Sequence, residues 1–262
     1  MSYVTLEIDN AAATVTLNRP EVHNAFNEDI INQLIDCFDR VANDDNIRAM
    51  VLQANGKSFS AGADLQWMKK MATYSEAENL ADAQNLAQMF ARLYHLPKPT
   101  IAKVQGAAFG GAVGLIACCD IAVASKLSKF CLSEVKLGLL PSTISPYVIK
   151  AIGERHAKRL FMTAELVSAR RARRIGLISE VVSEEDLHNE VNGIVSNILK
   201  NGPKAVSLAK QLVHEVADAP IDTALMLRTS QSIAAARVSE EGQEGLNAFL
   251  QKRSAKWVAS HD

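Results

Sequence analysis

The sequence predicts an α/β protein in which parallel strands alternate with crossover helices, followed by a helical C-terminal third. Three observations carry that prediction. Strand-like runs and 3.6-residue helical patterns alternate between about residues 47 and 132, an order that parallel strands joined by helices produce. Two glycine loops directly follow strands. Beyond Pro141 the strand pattern nearly vanishes, while amphipathic segments continue.

Residues 3–8 and 13–17 alternate with period two around a short polar turn, which predicts a hairpin ended by Asn18-Arg19-Pro20. Asn27 is placed to cap a helix with Ile30, Ile31, Leu34, Ile35 and Phe38 on one face. Residues 48–54 form a buried strand entering the first glycine loop, 59–65, where Asp64 is placed to cap the next helix. A longer helix is expected over about 75–94, stopped by Pro97 and Pro99, and then a strand at 100–104 feeding the second loop, 106–114. A small-residue helix over 112–118 and strands at 120–124 and 129–132 complete this part. Helices are expected around 144–152, 155–163, 168–174, 184–199, 203–215, 219–237 and 240–252.

Composition excludes several classes. At 262 residues, with 48% hydrophobic and 22% charged residues, the chain can bury a sizeable core unaided. The net charge of −1, from 28 basic and 29 acidic residues, points to neither nucleic acid nor an anionic membrane. The densest basic cluster, Arg170, Arg171, Arg173 and Arg174, reads as a solvated or intersubunit face. Four cysteines without Cys-x-x-Cys spacing fit a reducing, cytoplasmic setting, and the first residues carry no signal-peptide pattern. The uncharged run from Val104 to Cys119 is too short and too glycine-rich to span a membrane. His95, His156, His188, His214 and His261 read as surface residues, and no histidine or cysteine spacing suggests a metal site.

The chemistry is carried by the two loops and one carboxylate. Loops with almost no side chain let two backbone N–H groups converge on one oxygen, which is how an oxyanion is held. Gly62 and Gly110-Gly111 allow that close backbone approach, whereas a dinucleotide or phosphate-loop fingerprint is missing. Glu134 lies after a short strand among Leu132, Val135 and Leu137, where partial desolvation would suit acid/base work. Each piece alone has a plainer reading: a connecting turn, close helix packing, or a surface ion pair with Lys136.

Together, residues 18–25, 59–65, 104–120 and 133–141 resemble the enoyl-CoA hydratase/isomerase (crotonase) family over nearly the whole chain. The resemblance implies a crotonase-like spiral of ββα turns over 1–200 and a helical C-terminal trimerisation part over 201–262, assembled as a homotrimer or hexamer. It implies an acyl-CoA thioester substrate and no separate cofactor. By position, the N–H groups of Ala63 and Gly111 would form the oxyanion hole and Glu134 would be the catalytic carboxylate. Val22, His23, Ala25, Ala61, Gly62, Asp64, Leu65, Gly110, Gly114 and Ser142 would contact the substrate. Many hydratases carry a further glutamate where this chain has Gly114, a change expected to widen the pocket for a branched acyl chain. Residues 63–68 and 141–148 look most like the branch acting on branched, carboxylated thioesters of the methylglutaconyl-CoA or isohexenylglutaconyl-CoA type, in leucine or terpene breakdown. The implied reaction is addition or removal of water through a thioester enolate. A Δ3,Δ2-enoyl-CoA isomerase using one glutamate and a non-catalytic acyl-CoA-binding protein are the alternatives.

Overall fold

The structure, a computed structural model, describes residues 2–258. The predicted hairpin forms: β1 (Val4–Asp9) pairs antiparallel with β2 (Ala12–Leu17). Asn10 and Ala11 turn the chain at φ 46° and 64°, a left-handed pair whose twist matches that of the flanking strands. Helix α1 (Glu28–Asn43) starts where expected, because the Asn27 side chain accepts the Ile30 amide at 3.0 Å. Strand β3 (Ala49–Ala54) is apolar on both faces. Helix α2 (Leu65–Met71) is capped by Asp64, and α3 (Glu76–Tyr94) by a reciprocal Ser75–Glu78 box.

Thereafter the chain winds in ββα turns. Strand β4 (Thr100–Val104) joins the main sheet, β5 (Ala107–Phe109) a second sheet, and α4 (Gly111–Cys118) follows. Strands β6 (Ile121–Ser125) and β7 (Lys129–Cys131) repeat that step before α5 (Ser145–Thr163). Gly153, at φ 75° and ψ 158°, is not helical and breaks α5 in two, so the helices expected over 144–152 and 155–163 are both present.

Two strands past Pro141 depart from expectation: β8 (Val167–Ser168) and β9 (Glu180–Val182). Both are too short to show a period-two pattern, and each forms only because an existing strand offers an edge. Strand β9 pairs parallel with β6, and β8 pairs antiparallel with β7. The sheets run β1-β2-β3-β4-β6-β9 and β5-β7-β8. Helices α6 (Ala169–Arg174), α7 (Leu187–Leu199), α8 (Pro203–Val216), α9 (Thr223–Val238) and α10 (Glu240–Leu250) complete the chain.

The main core lies between the two sheets and helices α1, α3, α4 and α5, with Phe26, Phe38, Phe59, Phe90 and Phe130 fully buried. On the other face of the main sheet, Val51, Ile101 and Val123 meet Leu187 and Val191 of α7. The arginine cluster is partly engaged within the chain: Arg171 pairs with Glu165 and Arg173 with Glu180, each at 3.1 Å. His214 is half-buried with its ring 4.7 Å from that of Tyr94, rather than on the surface. His261 lies outside the described residues.

Candidate active site

Two parallel bridges fix the first glycine loop, one to Phe26 and one to the second loop. Phe26 N–H donates to the Gly62 carbonyl at 2.7 Å, and Asp64 N–H donates to the Phe26 carbonyl at 2.8 Å. That pattern uses the groups on either side of Ala63, so the Ala63 N–H faces away from Phe26. Ser60 is bridged to Ala108 in the same manner, through Ala107 O at 3.1 Å and Phe109 N at 3.0 Å. The loops then nearly touch: a Cβ on Gly62, which has φ 94°, would lie 3.1 Å from the Phe109 carbonyl oxygen.

Gly110 turns into α4 at φ 54° and ψ −122°. Gly111 is the first helical residue, and its N–H is one of those a helix start leaves without an internal partner. Glu134 opens a 3-10 turn (Glu134–Leu137) just after β7. A Cβ on Gly110 would lie 3.2 Å from Glu134 Oε1, so the carboxylate rests against the turn that presents the Gly111 amide.

The Glu134 side chain is held by packing. Its Oε2 is buried and has no hydrogen-bond partner among the described residues. Burial pushes its pKa above the ordinary carboxylate value, and its own backbone amide offsets this only in part. No ion pair to Lys136 forms among the described residues. Replacing Gly110 with alanine adds a methyl group against this carboxylate at a left-handed φ. Turnover is expected to fall at least tenfold in steady-state assays, because catalytic geometry tolerates little displacement.

Expectation fails at Gly114. A Cβ there would lie 2.2 Å from Ile144 Cγ2 and 2.9 Å from Phe90 Cε1. The glycine therefore does not widen a pocket. It lets two buried apolar side chains close over α4, Ile144 being 2% and Phe90 0% exposed. Residues from two distant elements fill the space, which inspection of position 114 alone does not reveal.

The remaining predicted residues lie on the segments around these loops. Val22 ends a 3-10 turn (Pro20–Val22), and His23 follows at φ 54° with its Nδ1 3.2 Å from Ser58 Oγ. Ala61 N–H donates to the His23 carbonyl at 2.9 Å, which ties this turn to the first glycine loop. Ala25 is buried, whereas Ala61, Ala63 and Leu65 are exposed. Asp64 is occupied within the fold. Its carboxylate accepts the Gln66 and Trp67 amides at 2.7 and 3.2 Å and pairs with Arg19 Nη1 at 2.8 Å. Burial alone would raise its pKa, but the Trp67 and Gln66 amides and the Arg19 guanidinium hold it below the ordinary value. Ser142 is exposed, and its carbonyl accepts the Ser145 amide and hydroxyl at 3.1 and 2.7 Å.

Asn24 is the organising residue that sequence reasoning missed. Fully buried at φ 53°, it accepts the Arg19 amide at 2.8 Å and donates to the carbonyls of Asn55 and Ser58 at 2.8 and 2.9 Å. Asparagine tolerates the left-handed region better than most residues, and that was the available signal. Two cavities, of about 220 and 670 Å³, are lined by other residues.

The enoyl-CoA hydratase/isomerase family profile matches residues 7–260. The chain is 36% identical to a short-chain-enoyl-CoA hydratase of Clostridium acetobutylicum over 255 residues, covering 97% of this chain and 96% of that one. It superimposes on an enoyl-CoA hydratase of Shewanella pealeana with a TM-score of 0.95 at 45% identity, covering 98% and 96% of the two chains. A solved Legionella pneumophila chain gives 0.95 at 49% identity, covering 98% and 99%. With nearly the whole length matched and both sheets of the spiral in place, the chain belongs to the enoyl-CoA hydratase/isomerase family and has its crotonase fold.

Proposed function

We propose that the protein is a hydro-lyase that adds or removes water across the α,β double bond of a branched, carboxylated enoyl-CoA of the methylglutaconyl-CoA type. The observation that carries this reading is the Glu134 carboxylate lying against the Gly110 turn that opens α4, with its buried Oε2 left without a hydrogen-bond partner among the described residues. The Ala63 and Gly111 amides receive the thioester oxygen as it gains charge, each donor contributing roughly 2.7–4 kcal/mol. Glu134 takes a proton from water as the oxygen adds to Cβ, then returns it to Cα of the enolate. CoA runs along Val22, His23, Ala25 and the 61–65 loop. Exposed Leu65, Leu137, Leu139 and Leu140 offer apolar surface on the flanking segments. The likeness of residues 63–68 and 141–148 to the branched-substrate branch supports the acyl class.

The apolar filling at Gly114 favours a second reading, Δ3,Δ2-enoyl-CoA isomerisation, which needs one proton-shuttling carboxylate and no activated water. Steady-state assays of methylglutaconyl-CoA hydration and 3-enoyl-CoA isomerisation separate the two. Turnover of the 3-enoyl substrate alone rejects hydration.

In either reaction Glu134 must be ionised to begin. Because its pKa is raised, kcat/KM is expected to fall on the acid side at a pH above the ordinary glutamate value of about 4.3. A pH–rate profile checks this. The exposed Val213, Ile221, Leu227, Val238, Phe249 and Leu250 of the C-terminal part support its role as a subunit interface in a trimer or hexamer. Four free cysteines agree with a reducing, cytoplasmic setting.

A further inference from the structure

Among the described residues no side chain hydrogen-bonds the Glu134 carboxylate, so apart from its own backbone amide it is held by packing. On one side stands the Gly110 turn. On the other, the Glu134–Leu137 turn packs against α5, and the residue that seats the head of α5 is Ile144. Its Cγ2 occupies the hollow at Gly114, 2.2 Å from where a Cβ would stand, and its own Cβ is 2.9 Å from that point. Its carbonyl accepts the Val148 amide at 3.0 Å, so it cannot move without the first turn of α5. Behind it Phe90 is also fixed, lying near the Cβ positions of both Gly111 and Gly114 at 3.7 and 2.9 Å and with its ring 6.2 Å from that of Tyr147.

We infer that Ile144 is a positioning residue for Glu134: locked into the hollow on α4 that Gly114 provides, it sets where α5 lies and hence where the carboxylate points. The inference rests on the reading of Glu134 as the proton-transfer group. A methyl group at 114 must displace a β-branched side chain at both Cγ2 and Cβ, which side-chain rotation alone cannot relieve. Alpha-5 and the turn leaning on it must shift, and the Glu134 carboxylate shifts with them. A displacement near 1 Å lowers turnover by up to about 10²-fold.

The test is a cycle of G114A, I144A and G114A/I144A. G114A is expected to lower kcat about 10–100-fold with KM within about threefold, since no substrate contact is lost. I144A removes Cγ2 and is expected to lower kcat by a smaller factor. The double variant loses the clash at Cγ2 but keeps the approaches to the residue 144 Cβ and to Phe90 Cε1, each 2.9 Å, and is expected to recover part of the G114A loss. A second readout needs no substrate: the pH titration of the Glu134 carboxyl carbon in 13C-labelled protein, assigned with E134Q. Ile144→Ala frees the head of α5 and with it the turn that carries Glu134, and is expected to shift the titration of the carboxyl. Unchanged kcat in folded G114A, or a double variant no better than G114A, overturns the proposal. So does an I144A titration identical to wild type, which decides the matter if G114A does not fold. Should the wild type turn over no enoyl-CoA while I144A still moves the titration, the reading of function fails and the packing argument stands.

Discussion

Glu134→Gln is expected to lower turnover by roughly 10²–10⁴-fold, the range that a positioned proton-transfer group contributes. The protein should nonetheless stay folded, and at neutral pH it should become more stable. A carboxyl whose folded-state pKa is raised destabilises the native state once the pH exceeds its unfolded value, because the charge must then be buried. Below that value it is neutral in both states and the penalty disappears. Glutamine at 134 should therefore raise Tm at pH 7 and leave it nearly unchanged below about pH 4, where glutamate is protonated anyway. Thermal melts at the two pH values, beside steady-state kinetics, check both halves. Lost activity with gained stability is the mark of a group kept for chemistry. Lost activity with lost stability would instead make Glu134 structural.

Asp64→Ala has the largest expected effect on folding, about 3 kcal/mol or more in denaturant titration. Removing one partner of a buried ion pair costs about 3–5 kcal/mol, since the other charge is left uncompensated. Loss of the α2 cap adds about 1 kcal/mol. Arg19 and Asp64 are 17% and 8% exposed, so residual water at the guanidinium keeps the cost near the lower end. Asp64→Asn retains a capping oxygen and should lose less. The pH dependence has the opposite sign to that of Glu134. With its folded-state pKa depressed, Asp64 stabilises the protein above its ordinary value near 3.9 and ceases to do so as the pH falls toward the lower folded value. The difference between wild type and Asp64→Ala should thus shrink in acid.

How far the sequence could be read depended on whether the cause was local. The caps at Asn27, Asp64 and Ser75 are settled within a few residues, and the helices they start were foreseen almost to the residue. The 3.6-residue pattern likewise marked the apolar face of α1. Strands β8 and β9 could not be foreseen, because two or three residues carry no periodicity and their pairing partners lie 37–57 residues earlier. Glu134 was recognisable from its apolar flanks and the glycine turn upstream of it. The surroundings of Gly114 were not. A glycine in a sequence looks like space, and only the approach of Phe90 and Ile144 shows that the space is filled. Asn24 was hidden for a related reason: its three partners come from segments on either side of β3 that only the folded chain brings together.

The central claim is that one thioester oxygen, two backbone amides and one carboxylate meet beside α4. A crystal structure with a non-reactive acyl-CoA thioester tests it most directly. The account predicts the carbonyl oxygen at about 2.7–3.1 Å from both Ala63 N and Gly111 N. It also predicts a Glu134 carboxylate oxygen within direct proton-transfer reach of Cα. A thioester bound with its carbonyl turned from either amide, or with Glu134 on the far side of the α4 turn, would contradict it.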